Sequence, residues 1–175
     1  RGGQPRAAEL SSGRVLVIEA DRETRRLLAD CLAAHGYYVE EAADGEAGLY
    51  LAHEAVAPFD LVLLDDELPD ATVLEMLPAL RAVAAASLVV VMSAATGRGV
   101  FYDAITRGAY DVVQKPPWLA DVLRVVRLGV QERRAGLGAA RPSIRPQRGT
   151  VREGHAEGDV RPDAAAGELR ERQRG

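Results

Sequence analysis

The chain has 175 residues, 47% of them hydrophobic and 27% charged, with a formal net charge of -4. That size suits one ordinary domain plus a tail, and no apolar run approaches the ~18 residues that cross a bilayer, so no membrane partner is expected. The single cysteine, Cys31, excludes an internal disulfide and any cysteine-based zinc cluster and fits a reducing, cytoplasmic compartment, while the acidic balance gives no support to nucleic-acid binding.

Residues 1–13 are small and polar without hydrophobic period, which predicts a disordered lead-in. Order begins with the apolar run RVLVIE (14–19). After it Asp21 is placed to cap a helix, RETRRLLADCLAAH, that Gly36 closes and whose Leu27, Leu28, Cys31 and Leu32 share one face. YYVEEA (37–42) follows, then Asp44 before EAGLYLAHEA. The run DLVLLD (60–65) leads to Thr72 and Glu75, spaced as a capping box before LEMLPALRAV, where Pro78 should end or kink the helix. SLVVVMS (87–93) precedes SAATGRGVFYDA, whose Gly97 and Gly99 suit a mobile switch loop or an unconstrained turn. YDVVQK (110–115) then leads into a last helix with Val122, Leu123, Val126 and Val130 on one face. From Gly136 onward, eight arginines and six acids are scattered among Gly and Pro with few large apolar side chains, which predicts a disordered tail with no output domain over 136–175.

Five strands thus alternate with five helices over residues 14–135. The third and fourth apolar runs lack polar alternation, as the central strands of a parallel sheet do. The expected fold is α/β: a doubly wound three-layer sandwich with helices on both faces of the sheet.

In open parallel sheets the ligand crevice lies beyond the carboxyl ends of the strands. Here those ends carry Glu19-Ala20-Asp21, Asp65-Asp66-Glu67, Ser93-Ala94 and Lys115-Pro116. Acids at strand ends often merely cap the next helix, but together these groups suit Mg²⁺ and a phosphoryl group. Mg²⁺ takes one or two carboxylates plus phosphate oxygens, and a hydroxyl and an ammonium stabilise the remaining charge. Lys115 carries a compositional signal as well. It is the one lysine among twenty-two basic residues, the rest being arginine, which points to a position needing a compact ammonium rather than a planar fork.

These residues stand as they do in response-regulator receiver domains of bacterial two-component systems, which the chain resembles over about residues 14–133. RVLVIEADRETRRLL resembles that family's first strand and acidic pocket, FDLVLLDDELPD its phosphorylation strand, VVVMSAA its Ser/Thr strand, and GAYDVVQKP the final strand of nitrogen-regulator-type receivers. The resemblance implies a chemotaxis-regulator-like five-stranded parallel sheet in the order 2-1-3-4-5. It makes Asp65 the phosphoacceptor, serving a sensor histidine kinase or phosphotransfer protein, with Ser93 and Lys115 contacting the phosphoryl group. Glu19, Asp65 and the backbone carbonyl of Glu67 would hold Mg²⁺, with Asp21 as a further candidate. Ser93 and the residue at Val112 would form the switch, and Lys115-Pro116 would be a cis bond. An effector protein, or a second copy of the chain, would read the surface made by the fourth helix, last strand and last helix. The receiver itself would bind no nucleic acid and would not be an enzyme.

The chain departs from the family pattern in three places. Ala20 replaces a second acid that normally supplies a metal carboxylate, so Mg²⁺ is expected to bind weakly. Val112 stands where an aromatic switch residue is common, and Thr72-Val73 replaces Asp-Gly. Ala20 and Val112 leave an alternative open: a degenerate receiver working as a phosphorylation-independent protein-binding module. A haloacid-dehalogenase-like hydrolase fits poorly, because its second aspartate would fall at Glu67.

Overall fold

The computed structural model of the protein describes residues 13–95 and 98–136, with only the backbone of Arg98 and Val100. The expected lead-in over 1–12, the expected tail over 137–175, and Gly97 lie outside the described residues. Strands β1 (Arg14–Ile18), β2 (Tyr38–Ala42), β3 (Leu61–Asp65), β4 (Leu88–Ser93) and β5 (Asp111–Gln114) alternate with helices α1 (Arg22–Ala34), α2 (Gly45–Glu54), α3 (Val73–Val83), α4 (Arg98–Thr106) and α5 (Leu119–Arg134). The strands form one parallel sheet in the order β2-β1-β3-β4-β5. The expected fold is therefore the observed one.

Side chains of a strand alternate between faces, and this sequence supplies apolar residues to both. On one face Val15, Val17, Leu61, Leu63, Val90 and Met92 pack with Leu28 and Leu32 of α1 and with Val122, Val125, Val126 and Val130 of α5. On the other, Leu16, Ile18, Val62, Leu64, Val89 and Val91 pack with Met76, Leu77 and Leu80 of α3 and with Ala104 of α4. Every residue of β3 and β4 is buried, which is why these strands read as unbroken apolar runs. Each such Val or Leu contributes about 1.5–3 kcal/mol on burial, and these two layers hold the strand ends in register.

The helix starts follow the sequence. Asp21 accepts the Thr24 N–H at 2.7 Å and Asp44 the Ala47 N–H at 2.8 Å. Thr72 and Glu75 form a reciprocal capping box, so the departure from Asp-Gly leaves the start of α3 intact. Each cap contributes about 1 kcal/mol.

Four details correct the sequence reading. Of the two outcomes expected at Pro78, an end is not observed: α3 continues to Val83, with Met76, Leu77 and Leu80 burying its inner face. In α1 the buried stripe is Leu28, Ala29 and Leu32, whereas Leu27 is exposed and Cys31 only half-buried, since the sheet covers a narrower arc of the helix. Gly99 lies inside α4 rather than in a loop. Gly13, assigned to the lead-in, is packed: its φ is 101°, and a Cβ there would meet Val130 Cγ1 at 2.7 Å.

The edge of the sheet away from the strand carboxyl ends has its own polar anchor. Buried Asp60 accepts the Arg14 N–H at 2.9 Å and pairs with Arg133 at 3.4 Å and Arg134 at 3.3 Å, tying the end of α5 to the start of the sheet. Among the described residues no helix is long and apolar enough to cross a membrane.

Candidate functional site

From β1 the chain passes to β2 on one side and, later, to β3 on the other. The crevice between the carboxyl ends of β1 and β3 is thus the switch point at which a doubly wound sheet offers a site. Glu19 follows the last residue of β1 and Asp65 ends β3; both are 1% exposed. Ser93 ends β4 and is likewise buried, and Lys115 follows β5. The Lys115 N–H donates to the Ser93 carbonyl at 2.8 Å, which extends the ladder by one bond and fixes where the lysine leaves the sheet. The Lys115-Pro116 bond is cis.

Asp65 is enclosed by donors. Its Oδ1 accepts from Lys115 Nζ and from the Glu67 N–H at 3.0 Å, and its Oδ2 from the Ala20 N–H at 3.2 Å. Burial pushes its carboxyl up, but the bonds from Lys115, from Glu19 and from the N–H groups of Glu67 and Ala20 outweigh that and hold it below the usual aspartate range. Asp65 is therefore an ionised carboxylate held in a site largely closed to water.

Glu19 has the opposite bias. Burial is the largest cause of a pKa pushed up to about 7; the neighbouring Asp65 adds to the rise, and the Asp21 N–H and Lys115 oppose it. Glu19 Oε1 accepts the Asp21 N–H at 3.0 Å. Oε2 lies 3.2 Å from Lys115 Nζ as an ion pair but accepts no directed hydrogen bond. For Lys115 burial disfavours the ammonium, yet the two carboxylates outweigh it and raise its pKa above the ordinary lysine value. The cluster thus places two buried acids opposite one cation.

That charge balance, a buried Glu19 oxygen held only by an ion pair, and a set of oxygen ligands fit a small hard dication. Among the described residues no group of three or more His, Cys, Asp or Glu side chains is placed to hold a metal, so any such ion would depend on two carboxylates, backbone carbonyl and water. Asp21 is exposed, and its side chain is engaged in capping α1, with its pKa lowered chiefly by the Thr24 N–H. Glu67 is exposed, with its amide bound to Asp65. Asp66 has one buried carboxylate oxygen without a hydrogen-bond partner. Ser93 Oγ accepts the Ala95 N–H at 3.1 Å, which sets the hydroxyl at the turn after β4. Val112 is half-buried in β5, opposite Val91 and packed against the α2–α3–α4 core.

Two contributors carried no signal in the sequence. Arg25, one turn into α1, donates to the carbonyls of Glu19 at 2.7 Å and Ala20 at 3.2 Å, pinning the loop that presents Glu19. The Ala20 N–H on Asp65 is a backbone contribution that any residue but proline would supply.

A doubly wound sheet with an ionised aspartate, a hydroxyl and a lysine at adjacent strand ends has the layout of a receiver-type domain. The comparisons agree. The model of the response regulator receiver domain matches residues 15–127. The transcriptional regulatory protein KdpE of Mycobacterium tuberculosis is 34% identical over 137 residues, covering 78% of this chain and 59% of that protein. The DNA-binding transcriptional regulator NtrC of Azospirillum brasilense is 29% identical over 117 residues, 67% of this chain and 24% of its own length. A solved CheY-like receiver domain from Methanospirillum hungatei JF-1 superposes with a TM-score of 0.66 at 22% identity, covering 71% of this chain and 98% of that one. The chain belongs to the response regulator receiver domain family of two-component systems. It spans 59% of the length of the KdpE relative.

Proposed function

We propose that the protein is a phosphoacceptor, with Asp65 taking a phosphoryl group from the phosphohistidine of a sensor histidine kinase or phosphotransfer protein. The observation that carries this reading is the buried, ionised Asp65 facing Lys115 at the switch point of the sheet. An Asp65 oxygen attacks phosphorus, the P–O bond forms as the P–N bond breaks, and the electron pair returns to the histidine ring. Asp65 is ionised at neutral pH and needs no base. Lys115 keeps its proton and shifts from the carboxylate to a phosphoryl oxygen, and the Ser93 hydroxyl donates to another. Glu19, Asp65 and the Glu67 carbonyl would hold Mg²⁺, which when bound neutralises charge on the phosphoryl oxygens. With Ala20 supplying no carboxylate, this ion binds weakly.

The change at Asp65 is passed through Ser93 to the surface of α4, β5 and α5, which engages an effector protein or a second copy of the chain in the cytoplasm. Val112 provides no aromatic swing, so the switch rests on the β4–α4 segment. The domain accepts a group rather than turning over a substrate. No specific observation favours a binding-only module, since the nucleophile, hydroxyl and ammonium all stand at neighbouring strand ends.

The test is incubation with Mg²⁺ and a small acyl-phosphate donor, followed by detection of a hydroxylamine-labile phosphoryl group. The expected result is one such group per chain, abolished by Asp65→Asn. Absence of labelling by both the donor and a cognate kinase overturns the proposal.

A further inference from the structure

The loop from Asp66 to Thr72 carries Glu67 and joins β3 to α3. Its near end is fixed by two bonds: the Asp66 N–H to the Met92 carbonyl at 3.0 Å, and the Glu67 N–H to Asp65 Oδ1 at 3.0 Å. Its far end is fixed by a different element. Asp70 Oδ1 accepts the Gly45 N–H and Asp70 Oδ2 the Glu46 N–H, both at 2.8 Å, at the start of α2. That helix already has its own cap in Asp44, which takes the Ala47 N–H. Two acids therefore share one helix start, and the second reaches it from 25 residues away.

The approach is close. A Cβ on Gly45 would lie 2.8 Å from Met76 Sδ, 3.1 Å from Ala71 Cβ and 3.2 Å from Asp70 Oδ1, so a larger residue there would force the loop or Met76 to shift. On the other side of the same helix entry, the Ala42 carbonyl accepts the Glu19 N–H at 3.1 Å. A bonded ring results: Glu19 to Ala42, along the chain to Gly45, across to Asp70, back through the loop to Glu67, and from Asp65 to the Ala20 N–H. It joins the two carboxylate-bearing segments by a path that does not use the β1–β3 ladder. A carboxylate is suited to the junction because it accepts two N–H groups at once and complements the positive end of the helix.

We infer that Asp70 is a positioning residue for this site: by tying the β3–α3 loop to α2 it holds the Glu67 peptide against Asp65 and so sets the affinity for a divalent cation. The inference rests on the metal-dependent phosphoacceptor reading above and goes beyond it by assigning a determinant that touches neither metal nor phosphate.

The test compares the full chain with Asp70→Ala, Asp70→Asn and Asp44→Ala. Two quantities are read: exchange of the Glu67 amide by NMR without metal, and the Kd for Mg²⁺ by titration. Asp70→Ala is expected to weaken Mg²⁺ binding about tenfold, the usual effect of losing an outer-shell support, and to speed Glu67 exchange by about the same factor. Asp44→Ala removes a comparable cap from the same helix and should change both by less than about twofold. Asp70→Asn, which keeps an acceptor but not the charge, should fall between. Equal effects of Asp70→Ala and Asp44→Ala would reduce Asp70 to a helix cap and overturn the inference. So would equal Mg²⁺ loss in Asp70→Asn and Asp70→Ala with unchanged Glu67 exchange, which would indicate charge acting through space. If the unaltered chain binds no Mg²⁺, the inference fails together with the metal-dependent reading. If it binds Mg²⁺ in the expected order but Asp65 takes no phosphoryl group, the proposed function fails and the inference stands.

Discussion

Lys115→Met removes the cation that faces Glu19 and Asp65, and its cost should depend on pH in a specific way. In the intact protein Glu19 has its pKa raised from 4.5 to about 7. A raised carboxyl pKa means that the folded state holds the proton more tightly than the unfolded state. The associated stability is fully present below the unfolded value and is lost as pH climbs to about 7, a shift equivalent to roughly 3 kcal/mol. Asp65 is lowered and Lys115 raised, so the stability they contribute disappears only in strong acid and strong base respectively. Between about pH 5 and pH 8 Glu19 is thus the member of the cluster that titrates.

Without Lys115, Glu19 loses the one charge that opposes its rise, and its pKa moves above 7. At pH 6 it is already largely protonated in both proteins. The variant then loses mainly the Lys115–Asp65 bond, worth about 2 kcal/mol, because Asp65 keeps the N–H donors of Ala20 and Glu67. At pH 8 the intact protein has ionised Glu19, whereas the variant must hold the proton against its solution preference or leave two carboxylates unneutralised. Either alternative costs up to about 1.4 kcal/mol for each pH unit above 7. Urea unfolding with EDTA at pH 6, 7 and 8 measures this, with the midpoint and slope together giving the free energy. The destabilisation should grow by about 1 kcal/mol across that range, and adding Glu19→Gln to the variant should flatten it. A cost that is constant or shrinks with rising pH would refute the assignment of Glu19 and Lys115 to one electrostatic unit.

Three further outcomes follow from the same geometry. Mg²⁺ affinity should rise by up to about tenfold per pH unit below 7 and level off above it, because Glu19 must release its proton to bind; calorimetry in buffers of different ionisation enthalpy would show that proton. Ala20→Asp should strengthen Mg²⁺ binding several-fold yet lower the melting temperature in EDTA, since a third carboxylate joins two that are already crowded; stronger binding without that penalty would place the new acid outside the pocket. Asp60→Ala should cost about 2–3 kcal/mol in urea unfolding, because the Arg14 N–H and two arginines lose their acceptor, while leaving Asp65 phosphorylation unchanged.

The parts of this structure that are local or periodic were legible in the sequence. The runs DLVLLD and SLVVVMS announce buried parallel strands because both faces are covered, and Asp21, Asp44 and Thr72 announce helix starts because a cap needs only residues three positions away. The positions of Asp65, Ser93 and Lys115 follow from the strand ends once the sheet order is known. Asp60, Asp70 and Arg25 were not legible. Asp60 and Asp70 look like ordinary loop acids until the fold brings the arginines of α5 and the start of α2 to them. Arg25 looks like one more basic residue on an exposed helix until α1 packs its guanidinium over the carbonyls of Glu19 and Ala20. Leu27 was misjudged for the same reason: helical period identifies a stripe, but only the neighbouring sheet decides how wide a stripe is covered.

The substitution at Ala20 shows how far backbone and side chain separate in such a site. The alanine removes a carboxylate from the metal side, yet its N–H still donates to Asp65, and its carbonyl is still gripped by Arg25. The backbone frame around Asp65 is thereby common to every residue type but proline at position 20. What changes is the number of negative charges at the strand ends, and burial, with a smaller contribution from Asp65, already makes Glu19 hard to ionise. On the metal-dependent reading proposed above, the loss at position 20 is one of charge count rather than of a collapsed frame, and one added acid should raise the affinity for a dication.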